Sequence, residues 1–326
     1  MHAVVIEDGD LRYLERPDPV PGETEVLVAV RAAGLNGADM MQRQGLYPAP
    51  PGVPADVPGL ELAGEVVGVG SRVTLASPGD RVMAVVGGGA QATMAVVEES
   101  HLLFVPDGVD WPSAGGFPEV FSTAYDALFT RCHLTLGERL LVTGAAGGVG
   151  LAGVQLGRCA GAHVVASVRD PARRDALGAL GAHEVIGADD VGDHGPYDAV
   201  LELVGKASLP QALGALATGA RVAIIGVGSG ARVEVDLLAL MSRRASIGGS
   251  TLRARTRAEK AAVAAVVGAR VVPLLAEGAV RVPVCETFAL EDAARAYDRF
   301  AAGSKLGKVV LLTGADQDDA SASKFS

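Results

Sequence analysis

A glycine-rich turn is the part of this sequence with the clearest capacity for chemistry. Residues 140–143 (LLVT) form an apolar run that leads directly into residues 144–150 (GAAGGVG), where a helical pattern begins. Such a turn lets the backbone approach a pyrophosphate, and the helix N-terminus offers unpaired N–H groups and a positive dipole. Against the dinucleotide-binding pattern G-x-G-x-x-G, the match is Ala145, Gly147 and Gly150, with alanine in the first position. The run therefore predicts a dinucleotide site, and the alternative is a strand-to-helix turn that binds no nucleotide.

Cations and a hydroxyl follow the next apolar run, residues 163–168, where the kind of dinucleotide would be selected. Ser167 and Arg169 stand at the end of this run, and Arg173 lies one helical turn further on. An acidic side chain here would accept hydrogen bonds from a ribose 2′-hydroxyl, whereas hydroxyls and cations suit a 2′-phosphate. We therefore predict NADP(H) as the cofactor, with Arg169 on the phosphate. The alternative is that these arginines only keep a helix face in water.

Two patterns of apolar residues indicate the strands and helices that must position the glycine turn and the arginines. Up to about residue 112, short β-like runs separated by Gly, Pro and Asp predict a small β-barrel or sandwich, interrupted by one helix over 37–44. Beyond it, strand and helix alternate, which predicts a parallel sheet of the α/β class. The predicted strands are 3–6, 25–32, 62–69, 81–86, 92–97, 139–143, 163–168, 184–187, 199–204, 221–226, 246–250, 280–285 and 307–312. The later predicted helices are 149–160, 171–181, 209–216, a long alanine-rich one from about 253, and 291–302, and the polar tail 313–326 is expected to fray.

Length, charge and cysteine usage narrow the class of protein. The 326 residues favour two domains, and 49% apolar with 20% charged residues suffices to bury two cores. A formal net charge of −10 without a basic stripe argues against nucleic acid as a partner. Because no run of about 18 apolar residues and no signal-peptide pattern occurs, we expect a soluble, cytoplasmic protein without a membrane partner. Cys132, Cys159 and Cys285 form no C-x-x-C pair, which supports neither a disulfide framework nor a zinc site, and we expect them to be buried.

Three longer stretches carry a resemblance to a known family. They are residues 35–47 (LNGADMMQRQGLY), 117–119 (FPE) and 250–255 (STLRAR). Together with the glycine turn, they make nearly the whole chain resemble the zinc-free quinone oxidoreductase branch of the medium-chain dehydrogenase/reductase superfamily, closest to the p53-inducible NADPH quinone oxidoreductase group. The resemblance implies a GroES-like β-rich catalytic domain over 1–115 and 253–326, and a Rossmann domain with a doubly wound parallel sheet over 116–252. Dimers are usual in that family, so we expect a homodimer.

The resemblance also implies which residues surround the cofactor. Those expected around the nicotinamide are Asn36, Tyr47, Thr123, Gly226, Val227, Thr251 and Leu252, and those expected at the pyrophosphate are Gly147, Gly148 and Val149. Lys308 matches a position that contacts the cofactor in relatives, and the alternative is a surface lysine at a strand start. Leu60 stands where zinc-dependent relatives have a histidine ligand, so we expect no metal.

The chemistry that these residues imply is hydride transfer from NADPH to a quinone, which leaves an oxyanion that hydrogen-bond donors can stabilise. Tyr47 is the expected donor, and its alternative role is a stacking wall for a flat substrate. Asn36 would orient the nicotinamide amide or the substrate carbonyl, unless it only caps the helix that follows. Two other functions remain open: an NADPH-dependent ene reductase acting on an α,β-unsaturated carbonyl, and an NADPH-binding structural protein with little activity.

Overall fold

The computed structural model describes residues 1–314, so residues 315–326, most of the tail expected to fray, lie outside the described part. The chain divides into two compact units. The first unit comprises Met1–Glu119 and the segment from Arg253 onward, and the second unit comprises Val120–Leu252. The sequence-based boundaries lay after residue 115 and before residue 253.

Fifteen strands and ten α-helices occur in the described residues. The strands are β1 (His2–Glu7), β2 (Asp10–Glu15), β3 (Glu25–Gly34), β4 (Glu61–Val69), β5 (Arg81–Val85), β6 (Met94–Glu98), β7 (Leu102–Phe104), β8 (Arg139–Val142), β9 (His163–Val168), β10 (Glu184–Gly187), β11 (Tyr197–Glu202), β12 (Leu216–Ile224), β13 (Ser246–Gly249), β14 (Val284–Ala289) and β15 (Lys308–Leu312). The α-helices are α1 (Gly37–Arg43), α2 (Trp111–Gly115), α3 (Pro118–Tyr125), α4 (Gly148–Cys159), α5 (Arg174–Ala179), α6 (Leu209–Gly214), α7 (Leu237–Arg243), α8 (Arg257–Arg270), α9 (Val272–Ala276) and α10 (Ala293–Ala301). Short 3₁₀ turns span Glu99–His101, Pro171–Arg173, Val191–Asp193 and Leu290–Asp292, and a π-helix spans Asp126–Arg131.

The second unit is built on a six-stranded sheet in the order β10-β9-β8-β11-β12-β13. Every neighbouring pair in this sheet is parallel. The central strands are apolar runs buried on both faces, as parallel strands covered by helices on each side should be. The predicted doubly wound parallel sheet is therefore confirmed.

The first unit is dominated by a seven-stranded sheet in which β14-β15-β3-β4-β5-β7 are neighbours and β6 pairs with β3. Buried and less buried positions alternate along most of β3, so one of its faces enters an aliphatic core that includes Val28 and Leu62. A separate hairpin joins β1 and β2. The β-rich character predicted for this part of the chain is confirmed.

Several elements differ from the sequence-based expectation, and two of the differences have a local cause. The strand β2 was missed because most of it is exposed and polar, which hides the apolar signal of a strand. The long alanine-rich helix ends at Arg270 and restarts as α9, because Pro273 lacks the N–H needed to continue it. The strand predicted at 280–285 begins later, at Val284. Of the cysteines expected to be buried, only Cys132 is, whereas Cys159 is exposed.

Among the helices of residues 1–314, none combines the length and the apolar character that a membrane span requires.

Candidate functional site

The glycine-rich turn lies where the parallel sheet of the second unit changes direction. Strand β8 has β9 on one side and β11 on the other, and the chain runs outward to β9 and β10 before it returns to β11. Ligands of doubly wound sheets bind at the carboxyl ends of the strands at such a switch point. The turn joins the carboxyl end of β8 to the N-terminus of α4, so the topology places it where a dinucleotide would bind.

Two glycines of the turn lack a side chain for different reasons. A Cβ on Gly150 would stand 2.6 Å from the Cα of Ala145, so this glycine is needed for the turn to pack on its own helix. A Cβ on Gly147 would meet nothing closer than the carbonyl oxygen of Gly144, at 3.5 Å. Gly147 is the N-cap of α4 and no side chain caps that helix. The backbone at Gly147 is thus open beside unpaired helix N–H groups, which fits an anionic diphosphate. Gly148 and Val149 form the first turn of α4 and are partly exposed.

A buried carboxylate that the sequence analysis missed holds the base of this turn. Glu202, at the end of β11, is fully buried, and its Oε1 accepts a hydrogen bond from the hydroxyl of Thr143 at 3.0 Å. The same oxygen accepts bonds from the N–H groups of Val204 and Gly205, at 2.7 and 2.8 Å, and from the hydroxyl of Ser208 at 2.7 Å. Glu202 therefore ties the end of β8 to the loop after β11. The available signal was an acid inside the otherwise apolar run 199–204.

The end of β9 presents the cations predicted to select the cofactor. Arg169 is exposed and has no hydrogen bond or ion pair with any other residue in 1–314. Arg173 pairs with Asp170 at 3.2 Å, so part of its charge is neutralised. Ser167 is buried, and its carbonyl oxygen accepts the N–H of Ala145, which holds the end of β9 against the glycine turn. The structure therefore brings Ser167 to the turn, and Arg169 has no side-chain partner in residues 1–314 that would compete with an anion.

The remaining residues expected in the second unit lie beyond the carboxyl ends of β12 and β13 or on α3. Gly226 follows β12, where a Cβ would stand 2.4 Å from the carbonyl oxygen of Leu203, so internal packing alone requires a glycine there. Val227 and Thr251 are exposed, whereas Leu252 is buried. Thr123 is buried on α3.

In the first unit, Asn36, Glu61 and Lys308 form one buried polar network. Lys308 and Glu61 are 4% and 0% exposed, and the Lys308 Nζ lies 2.5 Å from Glu61 Oε1. The same Nζ donates to the carbonyl oxygen of Leu35 at 2.7 Å and to Oδ1 of Asn36 at 2.8 Å. Asn36 Nδ2 donates to Glu61 Oε1 at 2.9 Å and to the carbonyl oxygen of Gly34 at 3.3 Å. The cation and the anion thus fix which way the amide of Asn36 points.

This network changes the interpretation of two predicted site residues. All three N–H groups of the Lys308 ammonium are engaged internally, so this side chain has no donor free for a phosphate, and the alternative of a surface lysine is wrong. Both amide hydrogens of Asn36 are also engaged, which leaves only a lone pair on its Oδ1 for a ligand. Asn36 does stand at the N-cap of α1, as its alternative role required. Both carboxylate oxygens of Glu61 are engaged as well, since its Oε2 accepts the N–H of Glu119 at 2.8 Å.

A second buried carboxylate lies beside the network. Asp39 is fully buried and accepts the N–H groups of Asn36 and Gly59, at 2.8 and 3.2 Å. Burial raises the pKa of Asp39 from 3.8 to about 6, helped by Glu61 and opposed by the two N–H donors and by Lys308. The carboxyl of Asp39 therefore loses its proton near pH 6, at a higher pH than an ordinary aspartate.

Tyr47 stands on the segment that follows α1. The helix ends at Arg43, and Gly45 adopts a φ of 72°, a left-handed conformation that turns the chain toward Tyr47. The tyrosine is half-buried, and its hydroxyl makes no hydrogen bond with any described residue. Burial raises the pKa of the Tyr47 phenol, Glu119 adds to the effect, and the guanidinium of Arg253 opposes it. The phenol is consequently neutral at pH 7 and has a proton to donate.

Residues 1–314 contain no group of three or more His, Cys, Asp or Glu side chains that could hold a metal ion. Leu60, at the position of a histidine ligand in zinc-dependent relatives, is buried and apolar.

Two domain families match the chain. The family described as alcohol dehydrogenase GroES-like domain matches residues 22–107, within the first unit. The family described as zinc-binding dehydrogenase matches residues 148–268, which covers most of the second unit.

Proteins named quinone oxidoreductase are similar to the chain over nearly its whole length. That of Lama guanicoe is 33% identical over 307 residues, covering 90% of each chain. That of Pseudomonas aeruginosa is 32% identical over 312 residues, covering 93% of this chain and 95% of its own. The solved structure of a quinone oxidoreductase from Pseudomonas syringae pv. tomato matches with a TM-score of 0.84 at 28% identity, over 96% of this chain and all of the other.

Proposed function

The chain belongs to the medium-chain dehydrogenase/reductase superfamily and is a quinone oxidoreductase-like enzyme, and on that basis we propose that it reduces a quinone with hydride from NADPH. The resemblance seen in the sequence is thereby confirmed at the level of the superfamily and its quinone oxidoreductase-like members. The observation that carries the proposal is the open backbone at Gly147, beside the uncapped N-terminus of α4, which suits the diphosphate of a nicotinamide cofactor. When bound, NADPH supplies the hydride, and the residues of the chain bind the two reactants and donate the proton.

The charges after β9 support NADP(H) over NAD(H). Arg169 is exposed and unpaired among residues 1–314, and Arg173 keeps part of its charge beside Asp170. We assign the 2′-phosphate to Arg169, because a guanidinium can make two parallel hydrogen bonds to a phosphate. Ser167 acts through the backbone by holding the end of β9 against the glycine turn.

On the acceptor side, we assign the hydrogen-bond donor to Tyr47. Addition of hydride to a quinone leaves negative charge on the oxygen at the far end of the conjugated system, and a neutral phenol can bind that oxygen and give it a proton. The Tyr47 hydroxyl suits this task because no described residue uses it. Asn36 can only accept a hydrogen bond at its Oδ1, which suits the N–H group of a carboxamide better than a carbonyl oxygen.

A homodimer through the second unit is part of the same proposal. Leu237, Leu238 and Met241 lie at helical spacing on α7 and are mostly exposed. The strand β13, which follows α7, is one of the two edge strands of the sheet in the second unit. An apolar patch near an open sheet edge is a common subunit interface, and we assign it to a second copy of this chain.

Steady-state oxidation of NADPH with 1,4-benzoquinone, followed by identification of the product, tests the proposed reaction. We expect turnover to hydroquinone, and Tyr47→Phe should lower kcat by roughly 10²-fold or more, the usual contribution of a positioned proton donor. If the enzyme turns over an α,β-unsaturated ketone and not the quinone, the acceptor is an enone and the quinone assignment is wrong. Binding of NADPH without turnover of either compound would overturn the proposal and favour a binding protein.

A further inference from the structure

Arg253 is a buried arginine next to Tyr47, and sequence analysis gave it no function. It is 4% exposed, and its Nη1 donates to the carbonyl oxygen of Tyr47 at 2.9 Å. Its guanidinium carbon also lies 5.1 Å from the centroid of the Tyr47 ring. One side chain thus holds both the backbone and the ring face of the tyrosine.

The same guanidinium is anchored on two other elements of the first unit. Its Nε donates to the carbonyl oxygen of Gly87 at 2.7 Å, and its Nη2 donates to Oε1 of Gln42, on α1, at 2.6 Å. Gln42 in turn donates to the carbonyl oxygen of Ala55 at 3.1 Å. Arg253 therefore joins the end of α1, the loop after β5 and the segment that carries Tyr47.

The segment around Tyr47 depends on this contact. Residues 47–54 contain no helix or strand, and among residues 1–314 the hydrogen bond from Arg253 to Tyr47 is the one that joins them to another segment. Without it, nothing but packing would hold the phenol in place.

No carboxylate of residues 1–314 contacts the guanidinium of Arg253. No described acid lies within ion-pair distance of it, so neutral carbonyl and amide oxygens and an aromatic face satisfy the cation. Burial lowers the pKa of Arg253, and Asp39, Tyr47 and Glu119 oppose that effect. An arginine remains charged in such surroundings, whereas a lysine readily loses its proton when buried.

We propose that Arg253 is a positioning residue for the reaction: its guanidinium fixes the Tyr47 phenol in the place from which it donates to the acceptor oxygen. The inference rests on the proposed function, since it acts only through Tyr47. The expected size follows from geometry, because a displacement of about 1 Å of a catalytic group can cost roughly 10²-fold in rate.

Four forms of the full-length protein test the inference: the wild type, Tyr47→Phe, Arg253→Met and the double variant. The measurements are kcat and KM for 1,4-benzoquinone, and the Kd of NADPH from its fluorescence. Arg81→Met is the matched control, because Arg81 also stacks on an aromatic ring, that of Trp111 at 4.4 Å, and donates to a carbonyl oxygen, that of Val109 at 2.7 Å. Folding is checked by circular dichroism and thermal melting.

We expect Arg253→Met to lower kcat/KM for the quinone by roughly 10- to 100-fold while the Kd of NADPH and the kinetics of Arg81→Met stay near wild type. The double variant should lie within about 2-fold of the slower single variant, because two changes that remove one interaction are not additive. If the role of Arg253 were purely structural, the loss in kcat/KM of the double variant would instead be the product of the two single losses.

Multiplied losses, or wild-type quinone kinetics in folded Arg253→Met, would overturn the inference and leave the role of Tyr47 intact. Wild-type kinetics of Tyr47→Phe would overturn the donor assignment and the inference together. If Arg253→Met does not fold, Arg253→Lys in the presence and absence of Tyr47→Phe gives the same comparison, since lysine keeps the charge and loses the planar fork.

Discussion

Replacing Lys308 by methionine should leave the carboxyl group of Glu61 buried in the first unit without its cation. Both side chains are almost fully buried and lie 2.5 Å apart, so water cannot take the place of the ammonium. Methionine fills much of the space of the lysine stem, which limits the effect of a cavity. The change therefore measures the charge more than the packing.

The expected loss follows from the bonds that remain. Removing one partner of a buried ion pair typically costs about 3 to 5 kcal/mol. Glu61 would keep the hydrogen bonds from Asn36 and from the N–H of Glu119, so we expect the lower end, about 3 kcal/mol. The double variant Lys308→Met with Glu61→Gln removes both charges and should lose less than the two single variants together, with a coupling energy of about 2 kcal/mol.

Equilibrium unfolding in urea at pH 7 measures these free energies, with Lys206→Met as a control for loss of an exposed lysine. Lys308→Met should also show a lower kcat with the quinone, because the amide of Asn36 is then free to rotate, whereas Lys206→Met should keep the wild-type kcat. If the single losses add to the double loss within about 0.5 kcal/mol, the two groups do not interact as a pair. A Lys308→Met protein as stable as Lys206→Met would refute the reasoning outright.

The remaining predictions concern the cofactor, pH and assembly. Arg169→Ala should raise the Kd of NADPH by roughly 10-fold or more and leave that of NADH near wild type, with Arg158→Ala at the far end of α4 as the control; equal losses for both cofactors would contradict the assignment. The pKa of Asp39 is about 6 in the folded protein and 3.8 ordinarily, so the folded chain holds this proton up to a higher pH than the unfolded chain. The free energy of unfolding should therefore fall as the pH rises from 3.8 to about 6. Asp39→Asn should flatten this fall, which is on the order of 3 kcal/mol, in urea melts at several pH values; an unchanged slope would assign the fall to other groups. Leu238→Glu should convert dimer to monomer in light scattering, whereas Val20→Glu, also at an exposed apolar residue, should not; a dimer in both would place the interface elsewhere.

Local patterns were enough to predict the main elements of the second unit. Its central strands are continuous apolar runs, and the glycine turn follows the first of them, so a parallel sheet with a dinucleotide turn could be predicted without tertiary contacts. The exposed strand β2 and the short helix α7 escaped prediction because neither carries a long periodic apolar pattern.

The polar contacts around the candidate site could not be predicted in this way. Lys308 is far from Asn36 in sequence, and Arg253 is far from Tyr47, yet each pair is in hydrogen-bond contact. Their residue types alone permit a surface lysine and a solvated arginine equally well.

The sequence by itself determined the family, the parallel sheet of the second unit and the turn that would hold a diphosphate. These features depend on residues that are neighbours along the chain. The tertiary structure decided that Lys308 pairs with Glu61 and donates to Asn36, that Arg253 donates to Tyr47, and that the pKa of Asp39 rises. Each of these depends on burial and on contacts between distant segments, since the energy of a charge is set by the atoms that replace water around it.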